Sequence, residues 1–199
     1  MEKIIITGTP GTGKTSVSKE LADLIKAELL SINQIVIENN FVSSYDEKRN
    51  TYIVDSNKLI TFLKRQIKFY NGRNFDFVII EGHYADILPG NLIDYLFILR
   101  CHPKKLRDRL SKKGVNEESV KENVQAEILG NSINFVLEKI DELKKIPILE
   151  IDTSNKSIKG VAKLISEIIH KKVKYDDFYI GNVDWLEEIS NEDKIFEYF

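Results

Sequence analysis

An α/β protein in three layers, with helices on both faces of a parallel sheet, is what this sequence predicts, and three observations carry that prediction. Short continuous apolar runs, Ile4–Ile6 and Phe77–Ile80 among them, read as strands buried on both faces. Longer stretches between them place apolar residues three and four apart, the period of an amphipathic helix. A glycine-rich turn from Gly8 to Gly13 separates the first strand from the first helix. Strands and helices then alternate to the end of the core, which calls for right-handed crossovers between parallel neighbours.

Taken in order, Lys3–Thr7 is the first strand. Val17, Leu21, Leu24 and Ile25 then share a helical stripe, with Lys19, Glu20, Asp23 and Lys26 opposite. Glu28–Ile32 is a second short strand, and residues 33–54 show no clear period. Asp55 or Ser56 is placed to cap a helix with Leu59, Leu63, Ile67 and Tyr70 on one face, ended by Asn71 and Gly72. Phe75–His83 holds the strongest buried-strand run, and Tyr95–Cys101 repeats the type. Pro103 suits the first turn of a helix that runs to about Lys113 and stops at Gly114. Asn116 caps a long helix expected to reach Leu143, with Glu117 and Glu118 complementing its dipole. Ile146–Asp152 is a last strand, and Ser157–Lys172 a last core helix with Ile158, Val161, Leu164, Ile165 and Ile168 inward.

Composition narrows the function classes. The 199 residues, 42% apolar and 30% charged, fit one ordinary core, expected over residues 1–175. Lys and Arg number 29 against 31 Asp and Glu, so no global field announces a polyanionic partner. The lone Cys101 excludes an internal disulfide, and no Cys/His set has zinc spacing. Neither a secretory leader nor a membrane-length apolar run is present, so a cytoplasmic location without membrane contact is expected. Residues 176–199 differ: eight acidic residues stand against one lysine, yet Phe178, Tyr179, Trp185, Phe196, Tyr198 and Phe199 make a packed segment the expectation. Lys156, Lys159, Lys163, Lys171, Lys172 and Lys174 read as a solvated basic face.

The chemistry is carried by "GTPGTGKTS". Gly8, four residues, then Gly13-Lys14-Thr15 matches the P-loop pattern, with strand before and helix after. Glycines at 8, 11 and 13 leave room for main-chain N–H groups to turn toward a phosphate, and the helix start adds its unpaired donors and positive dipole end. Lys14 would reach the β- and γ-phosphates of a nucleotide triphosphate, Thr15 would offer its hydroxyl to Mg²⁺, and Ser16 would bond the α-phosphate. The acidic partner for the metal is expected at Glu81, which emerges from an apolar strand at the sheet's C-terminal edge. His83 has two open roles, ordering the attacking group or a water, or a purely structural one. In "KKLRDRLSKKG", Arg109 and Lys113 either neutralise transition-state charge or complement a helix dipole.

Together these residues resemble the adenylate kinase family, most closely its nuclear-type isoenzyme 6 branch and archaeal relatives, over roughly residues 1–170. "ITGTPGTGKTS" is similar to that branch's opening, and "SYDEKRNTYIVD" (Ser44 to Asp55) resembles its nucleoside-monophosphate segment. "IIEGH" is similar to its Walker B element, and "RLSKKGVNEESVKENVQAEI" resembles its lid, with Arg109, Gly114, Asn116, Asn123, Gln125 and Glu127 in step. "TSNKS", with Ser154 and Asn155, resembles the loop around adenine.

The resemblance implies a P-loop nucleoside monophosphate kinase fold on a five-stranded parallel sheet, with a monophosphate-binding segment at about 33–56 and a lid at about 108–120. It implies phosphoryl transfer from Mg²⁺-bound ATP to AMP, slow ATP hydrolysis, and a partner, ribosomal protein uS11, in maturation of the small-subunit precursor and its rRNA; direct RNA contact stays open. Three departures stand out. Ile37 replaces an arginine that would hold the acceptor phosphate, with Lys48 and Arg49 the nearest basic groups, Lys113 replaces a lid arginine, and Glu81 an aspartate. The competing readings are an ATPase assembly factor with incidental kinase activity, a small-molecule kinase such as one for shikimate, and a nucleotide-binding module without catalysis.

Overall fold

The computed structural model describes residues 1–46, 51–73, 75–83, 88–143, 145–191 and 198. Among them the elements run β1 (Glu2–Gly8), α1 (Lys14–Ile25), β2 (Glu28–Ser31), α2 (Ile32–Glu38), β3 (Val42–Asp46), β4 (Thr51–Val54), α3 (Ser56–Asn71) and β5 (Phe77–Glu81). They continue with β6 (Tyr95–Arg100), α4 (Pro103–Lys112), α5 (Glu117–Ile128), α6 (Asn131–Leu137), α7 (Ile140–Leu143), β7 (Ile148–Asp152), α8 (Ile158–Ile169) and α9 (Trp185–Asn191). Five strands form one parallel sheet in the order β2-β5-β1-β6-β7. β3 and β4 make a separate antiparallel pair.

Alternation along the central strands produces the three layers. Ile5, Val78, Ile80, Leu96 and Ile98 face one side, where Ile32, Leu59, Leu63 and Val136 cover them. Ile4, Ile6, Ile79, Phe97 and Leu99 face the other, against Val17 and Leu21 of α1 and Val161, Ile165 and Ile168 of α8. All of these except Val17, Val136 and Val161 are fully buried, and those three are nearly so. Burial of such side chains stabilises by about 1.5–3 kcal/mol each, which is why β1 and β5 read so clearly as strands.

The residues without clear period resolve into α2 and the β3–β4 pair, and Asp55 is the cap of α3, accepting from the Lys58 N–H at 3.1 Å. The long helix expected from Asn116 to Leu143 is three pieces. Gly130 adopts φ 65°, a left-handed conformation that stops α5 and starts α6 in a new direction. Leu24 and Ile158, expected inward, are 52% and 48% exposed. Both lie at the margins of their helices' apolar stripes, where the sheet below no longer covers them.

A third apolar cluster sits beyond the sheet's edge. Leu106 and Leu110 of α4, Val120, Val124 and Ile128 of α5, and Cys101 meet Trp185 and Ile189 of α9 and Tyr198. The C-terminal segment thus covers the two helices that bracket the predicted lid. Among the described residues no helix is long and apolar enough to cross a membrane.

Candidate active site

β1 delivers the chain to Gly8 at the sheet's C-terminal edge, and six residues later α1 begins at Lys14. The turn between is too tight for side chains at two positions. A Cβ on Gly8, at φ +138°, would stand 2.4 Å from the Leu99 carbonyl oxygen, and one on Gly11, at φ +94°, would stand 2.7 Å from Leu106 Cδ1. Gly13 occupies the N-cap of α1, whose first N–H groups therefore have no side-chain cap and point into the turn.

Lys14 folds into this turn. It is 8% exposed, and its Nζ donates to the carbonyl oxygens of Gly8 at 2.7 Å and Thr9 at 3.2 Å. Burial lowers its pKa to about 8, with Glu81 and Glu127 opposing that effect and Lys113 adding to it. Glu81 ends β5 beside β1 and β2, in register with Ile6 and Ser31. Its carboxylate is buried, accepting from Ser31 Oγ at 2.6 Å and from Thr15 Oγ1 at 3.3 Å. Lys14, Thr15 and Glu81 thus converge at the mouth of the turn.

Gly11, Gly13, Ser16, Arg109, Lys112 and Lys113 line a cleft of about 540 Å³ together with Thr153, Ile158 and Val161. Arg109 is anchored there, donating from Nη2 to the Thr153 carbonyl at 2.6 Å and from Nη1 to Thr153 Oγ1 at 3.0 Å. Arg107 leaves the cleft, its guanidinium 4.9 Å from the Tyr198 ring centroid. His83 lies in the exposed turn after β5.

Ser154 and Asn155 are not part of this lining. They border a second cavity of about 370 Å³ shared with His102, Trp185 and Glu188, and Ser154 Oγ accepts from the His102 N–H at 2.7 Å. Ile37 on α2 is 78% exposed, and Lys48 and Arg49 lie outside the described residues. Sequence reasoning missed Thr153, which ties the turn to β7 by donating to the Thr12 carbonyl at 2.9 Å. It also missed Thr9 and Arg100, the latter a buried charge at the end of an apolar strand.

A family model described as AAA domain matches residues 4–130. A Methanocaldococcus jannaschii protein named "Putative adenylate kinase" is 33% identical over 187 residues, which is 94% of each chain. A Caenorhabditis elegans protein named adenylate kinase isoenzyme 6 homolog is 31% identical over 139 residues, 70% of this chain and 74% of its own. The chain belongs to the adenylate kinase family. It falls in the branch of isoenzyme 6 and its archaeal relatives. The fold of this adenylate kinase family member is also that of a Candida albicans thymidylate kinase, 16% identical with a TM-score of 0.56 over 86% of this chain and 92% of that one.

Proposed function

We propose that this chain is an adenylate kinase that moves the γ-phosphoryl group of ATP to AMP, giving two ADP. The observation that supports this most is the convergence of Lys14, Thr15 and Glu81 beside a cleft lined by Arg109, Lys112 and Lys113. In this reading the triphosphate lies along the N–H groups from Gly11 to Ser16. Lys14 exchanges the Gly8 and Thr9 carbonyls for β- and γ-phosphate oxygens, and Ser16 bonds the α-phosphate. The base enters the cleft between Arg109 and Ile158, with Ser154 and Asn155 shaping the loop behind it.

The residues present suit a magnesium ion: Thr15 Oγ1 and the Glu81 carboxylate are hard oxygen donors 3.3 Å apart. When bound, Mg²⁺ would neutralise charge on the β- and γ-phosphates. Arg109 and Lys113 stabilise negative charge that spreads over the moving group, and His83 orders the acceptor or a water. Closure of residues 108–120 keeps bulk water from competing with AMP. An exposed Ile37, where the resemblance implies a phosphate-gripping arginine, weakens the hold on the acceptor phosphate, a group common to all nucleoside monophosphates, among which acceptor choice is broad in this reading.

A wider role that the sequence resemblance implies is the second reading: an ATPase in the cytoplasm that binds uS11 and acts in small-subunit rRNA maturation. One experiment separates the readings. Initial rates of ADP formation from ATP are measured alone, with each monophosphate, and with uS11. A rate raised chiefly by AMP supports the kinase reading, whereas a rate raised chiefly by uS11 supports the assembly factor.

A further inference from the structure

Against the phosphate-binding turn, and outside the lining of the cleft, lies a charge cluster that the phosphoryl-transfer chemistry does not use. Arg100, Glu127 and Glu150 are each 1–2% exposed, at the end of β6, in the last turn of α5 and at the centre of β7. Arg100 donates from Nε to Glu127 Oε1 at 2.8 Å, from Nη1 to Glu150, and from Nη2 to the Glu127 carbonyl at 3.0 Å. Buried charges persist only when paired and hydrogen-bonded on every side. Here the outer side is supplied by the C-terminal segment. Gly181 N–H and Val183 N–H donate to Glu150 Oε2 at 2.7 and 3.4 Å, the Val183 carbonyl accepts from Arg100 at 3.2 Å, and Trp185 Nε1 donates to Glu127 Oε1 at 3.1 Å.

Glu127 faces the turn as well. Its Oε2 accepts from the Thr9 hydroxyl, while Oε1 also receives the Cys101 N–H at 3.0 Å. Thr9 is itself bonded within the turn. Its carbonyl accepts from Thr12 Oγ1 at 2.8 Å and from Lys14 Nζ at 3.2 Å. A continuous line of hydrogen bonds therefore joins Trp185 to Glu127, Glu127 to Thr9, and Thr9 to Lys14. Glycines at 8, 11 and 13 give the turn its freedom, so something else must hold its N–H groups in one arrangement, and side-chain tethers to Thr9 and Thr153 do so from opposite ends.

We propose that Trp185 is a positioning residue for the nucleotide site: its N–H orients Glu127, Glu127 fixes Thr9, and the C-terminal segment thereby preorganises the phosphate-binding turn. This rests on the nucleotide-binding reading above. The segment is then part of the site's machinery and not an appendage, although no atom of Trp185 lines the cleft.

Trp185 is the chain's one tryptophan, so it reports on itself. The test uses the full-length chain. Calorimetry first establishes ATP binding by the wild type, and Trp185 emission is then titrated with ATP. The inference expects an emission change that saturates with the calorimetric Kd and is lost in Thr9→Val but kept in Thr9→Ser. In Trp185→Phe, which keeps an aromatic ring but removes the pyrrole half of the indole with its N–H, the KM for ATP is expected to rise about tenfold or more with kcat changed far less. A Trp185→Phe protein with lowered thermal midpoint and unaltered KM for ATP overturns the inference. So does wild-type emission indifferent to bound ATP, a readout that holds even should the variant fail to fold. Absence of calorimetric ATP binding by the wild type defeats the nucleotide reading itself, and the inference with it.

Discussion

Lys14 Nζ donates to the carbonyl oxygen of Gly8 at 2.7 Å, so the cation is held by the backbone of the turn that leads into its own helix. Burial has brought its pKa down to about 8 from 10.5. A lysine with a lowered folded-state pKa costs stability in full below the folded value, and the cost fades as pH rises toward the unfolded one, on the order of 3 kcal/mol in all. An incoming triphosphate favours the charged form. ATP binding above pH 8 is therefore expected to take up a proton, and binding at pH 6.5 is not. Calorimetry in two buffers of different ionisation heat reads that uptake directly, and Lys14→Met abolishes both uptake and binding.

Glu81→Gln keeps the shape and the acceptor for Ser31 Oγ but removes the charge facing Thr15. Turnover is expected to fall by about 10²-fold or more, with the Mg²⁺ dependence displaced to higher concentration. A Mg²⁺ titration of initial rates checks both, and the thermal midpoint should move little.

Arg109→Lys preserves the charge and loses the fork that engages the carbonyl and hydroxyl of Thr153 together. The expected result is a drop in kcat/KM of about 10-fold or more in the coupled assay. Circular dichroism should be unchanged, because α4 is anchored by Leu106 and Leu110.

Gly8→Ala places a methyl group 2.4 Å from the Leu99 carbonyl, at φ +138°, where β1 and β6 are paired and neither can retreat. A loss of about 3 kcal/mol is expected from the strain and contact combined, measured as a lowered urea midpoint.

The strands were legible because β1, β5 and β6 each carry an unbroken apolar run that is buried on both faces. The meeting of Lys14, Thr15 and Glu81 was legible because the P-loop pattern fixes residue type and spacing together and the sheet brings the end of β5 beside it. The broken helix after Asn116 was not, since Gly130 sits inside an otherwise helical pattern and a single glycine is compatible with either outcome. Nor was the buried cluster. Arg100 follows "YLFIL" where a charge reads as the end of a strand, and its partners Glu127 and Glu150 lie 27 and 50 residues away. Only the fold brings them together. The aromatic residues of the C-terminal segment signalled packing, but no local pattern named α4 and α5 as the surface they cover.

The most direct test of the account is phosphorus NMR of the purified chain with ATP, AMP and Mg²⁺. The account predicts that ATP and AMP are consumed together, that two ADP appear for each AMP lost, and that Lys14→Ala stops the reaction. Release of inorganic phosphate with the AMP resonance untouched would contradict it.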